Sequence, residues 1–234
     1  PMSHADCPFR GGTRPHLLYL RSTRSYNRDR MGGLVPQHWR YSADDIYALE
    51  DRDLRDVDVL YFSAMHDQLF LKSIEPKLVD YLAGGGHFVI NGHIVVPWLP
   101  CLSPFKAVSP KPYTNWMVRP AEPGAYFGRM DFETFDRHEG ILGQYARGYS
   151  DPPAGAQRLC LIGGPTPDGD IDEGPVDWVW RMPGAGKVFV HNGDHIEAFC
   201  SDPRHQPNLL HDILDALTAS DQPAEGAPRP KERG

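Results

Sequence analysis

Residues 57–92 constrain the fold more tightly than any other part of the chain. Residues 57–64, VDVLYFSA, have the β-branched and aromatic content of an interior strand and stop at the polar series Met65-His66-Asp67. Helix signals begin at Ser73: Pro76 is tolerated in a first turn, Ile74, Leu78 and Leu82 share one face, and Gly84-Gly85-Gly86 terminates the run. Residues 87–90, HFVI, then form a second strand that stops at Asn91-Gly92-His93. A strand, a helix and a strand on such short joints form a right-handed crossover, which predicts parallel neighbours in a sheet covered by helices. The architecture expected is α/β.

The same punctuation recurs on either side. Residues 16–20, HLLYL, read as a strand that ends at Arg21-Ser22-Thr23-Arg24, and residues 187–191, KVFVH, as a strand that ends in Asn192-Gly193-Asp194-His195. Ser42 can cap a short helix over ADDIYALE, with Ile46 and Leu49 on one face. Asn208 can cap a closing helix whose stripe is Leu209, Leu210, Ile213, Leu214 and Leu217. Between residues 97 and 183 the pattern breaks into short pieces, NWMV, a helix around 132–145, RLCLIGG and DWVWRM, whose order periodicity does not fix; they read as an irregular β-rich insertion. GGPTPDGDIDEG reads as a turn-rich surface loop, since it lacks both the strand-to-helix setting of a phosphate loop and the spacing of an EF-hand. The head, 1–15, and the tail, 220–234, are turn-forming and aperiodic, so one domain is expected over 16–219 with a flexible segment at each end.

Charge and composition exclude several function classes. The formal net charge is −7, with Lys and Arg dispersed, which gives no electrostatic footprint for nucleic acid or an anionic membrane. Apolar runs are too short for a bilayer span and no signal-peptide series opens the chain, so a cytoplasmic protein is expected. Cys7, Cys101, Cys160 and Cys200 are widely spaced and form no C-x-x-C pair, so free thiols are expected.

Chemistry-bearing residues gather where strands end. His66, His93 and His195 follow three predicted strands, with Asp194 and Glu197 beside the third. Parallel strands present their carboxyl ends together, so His195 is expected to share a cavity with Asn91, Gly92 and His93, and to act as a base oriented by Glu197 or Asp194. The competing reading is a set of capped or solvated histidines. A third has His66, His93 and His195 holding a divalent metal with a carboxylate; without it no cofactor is expected. Arg21, Ser22, Arg24, Arg28 and Arg30 follow the first strand and can hold a carboxylate, phosphate or sugar, or form a solvated basic loop balanced by Asp29 and Asp44. Trp39, Trp98 and Trp116 can stack on sugars or pin long loops to the core.

Taken together, VDVLYFSA, LVDYLAGGGHFVING, RHEGILGQY and WRMPGAGKVFVHNGDHIEAF resemble the class I glutamine amidotransferase-like superfamily, and within it the trehalose-utilisation-type proteins. The resemblance covers about 57–217. It implies a flavodoxin-like three-layer sandwich with a mostly parallel central sheet and a site at the carboxyl ends of its strands. In amidotransferases of this superfamily a Cys on a sharp turn attacks glutamine, and a His-x-Glu strand end supplies the base and its carboxylate. His195-Ile196-Glu197 keeps the second spacing, but Asn91-Gly92-His93 has no thiol or hydroxyl to attack with, and Cys101 lies ten residues beyond Asn91. Three functions stay open. The first is binding or hydrolysis of a small polar, carbohydrate-like ligand, with His195, Glu197 and His93 as catalytic groups and Arg21, Ser22, Arg24, His66, Asn91, Gly92 and Asp194 as binding groups. The second is metal-dependent catalysis. The third is a non-enzymatic scaffold that self-associates or holds a partner.

Overall fold

The computed structural model describes residues 9–10, 12–22, 31–123, 132, 140–182, 184–200 and 208–219. In chain order its elements are β1 (His16–Arg21), α1 (Met31–Leu34), β2 (Arg40–Asp45), a 3-10 turn (Ile46–Glu50), β3 (Val59–Phe62), α2 (Gln68–Ser73), α3 (Glu75–Ala83) and β4 (His87–Asn91). Then come β5 (Lys106–Ala107), a second 3-10 turn (Tyr113–Trp116), β6 (Arg119–Pro120), β7 (Gly148–Tyr149), β8 (Gln157–Pro165), β9 (Ile171–Arg181), β10 (Lys187–His191), α4 (Ile196–Cys200) and α5 (Leu209–Thr218).

An eight-stranded mixed sheet runs β2-β1-β3-β4-β10-β9-β8-β6. Its first five strands are mutually parallel, and β9, β8 and β6 extend it antiparallel. The crossover predicted over 57–92 is present as β3 and β4, parallel neighbours with Val59 opposite His87 and Phe62 opposite Ile90. Alternation along the parallel strands builds a core on each face. Leu17, Tyr19, Val59, Tyr61, Val89 and Phe189 face the layer that holds Ile213, Leu214 and Leu217 of α5. Leu18, Leu20, Leu60, Phe62, Phe88, Ile90, Val188 and Val190 face Leu71, Leu78 and Leu82 of α2 and α3. A sheet covered on both faces is why these strands read as continuous apolar runs. The result is an α/β fold of helix, sheet and helix layers.

Several local expectations change. The segment from Ser42 does not open a helix: Ser42 lies in β2, opposite Leu18, and the turn that follows is 3-10, capped by Asp45, whose carboxylate accepts from the Tyr47 N–H at 3.0 Å. Ile46 and Leu49 are nonetheless buried together. The helix read from Ser73 is preceded by α2, whose cap Asp67 accepts from the Phe70 N–H at 3.0 Å; the chain breaks at Ile74, ahead of Pro76. Within 97–183, RLCLIGG lies in β8 and DWVWR in β9, and NWMV contains the end of a 3-10 turn instead of a strand. GGPTPDGDIDEG is a hairpin joining β8 to β9, with Gly164 opposite Asp172; its tip, residues 167–170, is the exposed turn expected, and its arms are strand. Of the helix expected around 132–145, residues 133–139 lie outside the described residues and 142–145 are turn and bend.

One glycine fixes how the β9–β10 hairpin seats. A Cβ on Gly186 would stand 1.7 Å from the Gly86 carbonyl oxygen, and the Gly186 N–H donates to the Leu82 oxygen at 2.9 Å. Only glycine lets this turn lie against the end of α3.

Candidate functional site

Three strand ends meet at one cleft of about 480 Å3, within the range of small-molecule sites. Ala64 and Met65 follow β3, Gln68 opens α2, Gly92, His93 and Val95 follow β4, and Gly193 and Asp194 follow β10; Gly143, Gln144, Ala146 and Arg147 supply the remaining wall. The carboxyl ends of parallel strands are where open α/β sheets leave a crevice.

Met65 is held at φ 62° and is 65% exposed. A left-handed backbone costs a non-glycine residue about 1–2 kcal/mol, so the surrounding structure imposes it. Gln68 shapes the opposite lip. Its Nε2 donates to the His93 carbonyl at 2.7 Å, and its Oε1 accepts from the N–H groups of Val95 and Val96 at 2.7 and 2.8 Å. The His93 ring stacks on Phe105, with centroids 3.8 Å apart and planes 16° apart. Burial lowers the His93 pKa, so its imidazole is neutral at pH 7 and can accept a proton.

Beneath the cleft lies a buried polar layer. Asn91, fully enclosed, donates from Nδ2 to Glu197 Oε2 at 2.8 Å, and its Oδ1 accepts from the Ile196 N–H at 3.5 Å. The end of β4 is thereby tied to the start of α4. Burial raises the Glu197 carboxyl above the usual carboxylate range. The neighbouring Tyr61 hydroxyl is pushed well up, by burial first and by Glu197 second. The Glu197 carboxyl and the Tyr61 hydroxyl thus face each other within this layer and act on each other.

A second buried network adjoins it. Asp177, in the middle of β9, lies opposite His191 at the end of β10. Its carboxylate is 2.6 Å from His191 Nδ1 and accepts from the Tyr145 hydroxyl at 2.6 Å. The Tyr145 ring meets His191 edge-on at 4.7 Å. A Cβ on Gly193 would stand 1.9 Å from the Tyr145 oxygen and 2.3 Å from His191 Nε2, so glycine lets the cleft wall close over the imidazole.

The residues singled out from sequence fall into distinct places. His93, Gly92 and Asp194 line the cleft. His195, its side chain 31% exposed, has Nε2 3.7 Å from Asp194 Oδ1 and Nδ1 4.0 Å from Glu197 Oε2, both longer than hydrogen bonds. Ser22 is buried and ties β1 to β3: its N–H donates to the Ser63 hydroxyl at 3.2 Å and its hydroxyl to the Ala64 oxygen at 3.4 Å. Arg21 ends β1 opposite Asp45. Arg24, Arg28 and Arg30 lie outside the described residues. His66 is turned into the core between Phe62 and Trp98, with Nδ1 3.0 Å from the Ser63 oxygen, and burial lowers its pKa to about 4. His66, His93 and His195 do not assemble as a metal set: among the described residues no group of three or more His, Cys, Asp or Glu side chains is placed to hold an ion. Cys101 packs in the layer of Trp98 and Leu102, and burial pushes its thiol up to about 12, the opposite of an activated nucleophile. Trp39 and Trp98 are core residues, whereas Trp116 lies under the Arg147 guanidinium, 4.9 Å from its ring centroid.

Sequence reasoning missed Gln68, Tyr145, Arg147, Asp177 and His191. One signal was available for Asp177, a lone carboxylate between Val176 and Trp178 in an otherwise apolar run. No protein-family model matches this sequence, and no curated protein matches it.

Proposed function

We propose that the protein binds a small polar ligand in the cleft at the ends of β3, β4 and β10. Proton transfer, where there is turnover, falls to His93. The observation that carries this reading is the meeting of His93, a neutral imidazole, and Asp194, an exposed carboxylate, in one concave site from two different strands. A base and a carboxylate on facing loops are suited to hold hydroxyl or amine groups and to move a proton between them. His195 stands next to Asp194, with Nε2 3.7 Å from its Oδ1, but is not among the residues that line the cleft, so the proposal rests on His93 as the base.

The order of the parallel strands, β2-β1-β3-β4-β10, supports the flavodoxin-like, amidotransferase-like reading of the fold. Glutamine hydrolysis by a thiol is not part of the proposal: the turn after β4 is Asn91-Gly92-His93, its Asn91 side chain is committed to Glu197, and the Cys101 thiol is buried. The experiment is a thermal-shift screen of sugars, polyols and sugar acids against the wild type and an Asp194→Asn, His93→Ala double variant. A compound that raises Tm in the wild type and fails to do so in the folded double variant is the expected result. A compound that stabilises both equally contradicts the assignment of the site, and a screen in which none stabilises either contradicts a sugar-like ligand.

A further inference from the structure

Two features of the cleft go beyond hydrogen bonding to a polar ligand, and both concern what else the ligand carries. The first is Arg147. Its guanidinium lies over Trp116, and its one hydrogen bond is a long one, from Nε to the Gly143 oxygen at 3.4 Å; among the described residues it makes no ion pair. A planar guanidinium resting on an aromatic ring keeps its edge available for two parallel bonds to a carboxylate or phosphate. The second is the lip. Met65 and Val95 are 65% and 73% exposed, and both line the same cleft. Scattered exposed apolar side chains need no explanation, but two that converge on one concavity, one of them on an imposed left-handed backbone, mark a contact surface.

We propose that the ligand is a small organic acid with an apolar body: its carboxylate pairs with Arg147, its body lies against Met65 and Val95, and any further polar group meets Asp194 and His93. Asp194 argues for a monoanionic carboxylate over a phosphate, because a second negative charge would face this side chain in a cleft to which the described residues contribute one arginine. The inference rests on the cleft being the ligand site, as proposed above, and it adds the acid and the apolar body.

The test uses four probes on the 15N-labelled full chain: hexanoate, hexanamide, acetate and glucose. Hexanoate should move the amide resonances of Gly92, Val95, Arg147 and Asp194 and saturate, with hexanamide at least about tenfold weaker, the loss expected for one charge-assisted pair. Arg147→Met should bring hexanoate down to about the affinity of hexanamide and weaken hexanamide far less, since its carbonyl loses only a neutral acceptor's bond; Arg147→Lys should recover only part of the loss, and spectral dispersion verifies that each variant is folded. A Met65→Gln, Val95→Ser variant should weaken hexanoate and leave acetate unaffected. Equal binding of hexanoate and hexanamide, or an Arg147→Met variant that binds hexanoate as the wild type does, overturns the acid. Glucose binding at these resonances without hexanoate binding also overturns it but leaves the cleft as a ligand site, whereas silence from all four probes overturns it and counts against the cleft as well.

Discussion

His191 Nδ1 lies 2.6 Å from Asp177 Oδ1, and neither side chain reaches solvent. The same carboxylate accepts from the Tyr145 hydroxyl, so one side chain of β9 serves both the end of β10 and the loop that walls the cleft. Asp177→Ala removes the shared acceptor. Stranding a buried donor costs about 1–3 kcal/mol, and two donors are stranded here, so a loss of roughly 3 kcal/mol or more is expected. Tyr145→Phe, which leaves the Asp177–His191 pair in place, should cost less. Urea denaturation of the two variants checks the order; an Asp177→Ala protein as stable as the wild type would show that the network carries no load.

Buried imidazoles set the acid stability. Burial lowers both His66 and His87 from 6.5 to about 4. For His87 the geometry agrees, since its Nδ1 accepts the Lys187 N–H at 3.0 Å and cannot do so once protonated. The unfolded chain therefore binds more protons than the native one between these values, and stability is lost as pH falls from about 6.5 towards 4, by about 3 kcal/mol at most for each group. Glu197 has the opposite sign. Its raised carboxyl keeps a proton that the unfolded chain has released, so its contribution falls as pH rises above the ordinary glutamate range. Urea midpoints at pH 7 and 4.5 should differ in the wild type, and differ less in His66→Phe, whose ring takes the place between Phe62 and Trp98. A midpoint difference unchanged by that substitution would exclude His66 as a source.

What was legible in the sequence was what short-range pattern encodes. β1, β3, β4 and β10 are buried on both faces and stop at polar residues, while α3 and α5 carry apolar stripes, so each announces itself within ten residues. β2 did not. It is an edge strand, RYSADD, that is half-buried and polar, and its serine and aspartates imitate a helix cap; only pairing with β1 makes it a strand. The site divides the same way. His93 and Asp194 were visible because they follow strands, whereas Asp177 meets His191 through an antiparallel register, and Gln68 and Arg147 reach the cleft from a helix start and a loop.

Gln68 is the last residue whose role is open to direct test. It spans from α2 to the loop after β4 with three bonds, to the His93 carbonyl and to the Val95 and Val96 N–H groups, and so it holds the loop that carries both His93 and the exposed Val95. Gln68→Ala removes all three. The freed groups lie near solvent, so water replaces much of what is lost and stability should fall by only about 1 kcal/mol. The loop itself should open more often: hydrogen exchange at the Val95 and Val96 amides is expected to quicken about fivefold, as loss of about 1 kcal/mol of local protection implies. Gln68→Glu keeps an acceptor for the two N–H groups but turns a carboxylate towards the His93 carbonyl, so it should restore slow exchange only in part. Unchanged exchange at both amides in Gln68→Ala would mean that the chain after β4 holds its shape without the side chain, and that His93 is positioned by its stack on Phe105 alone.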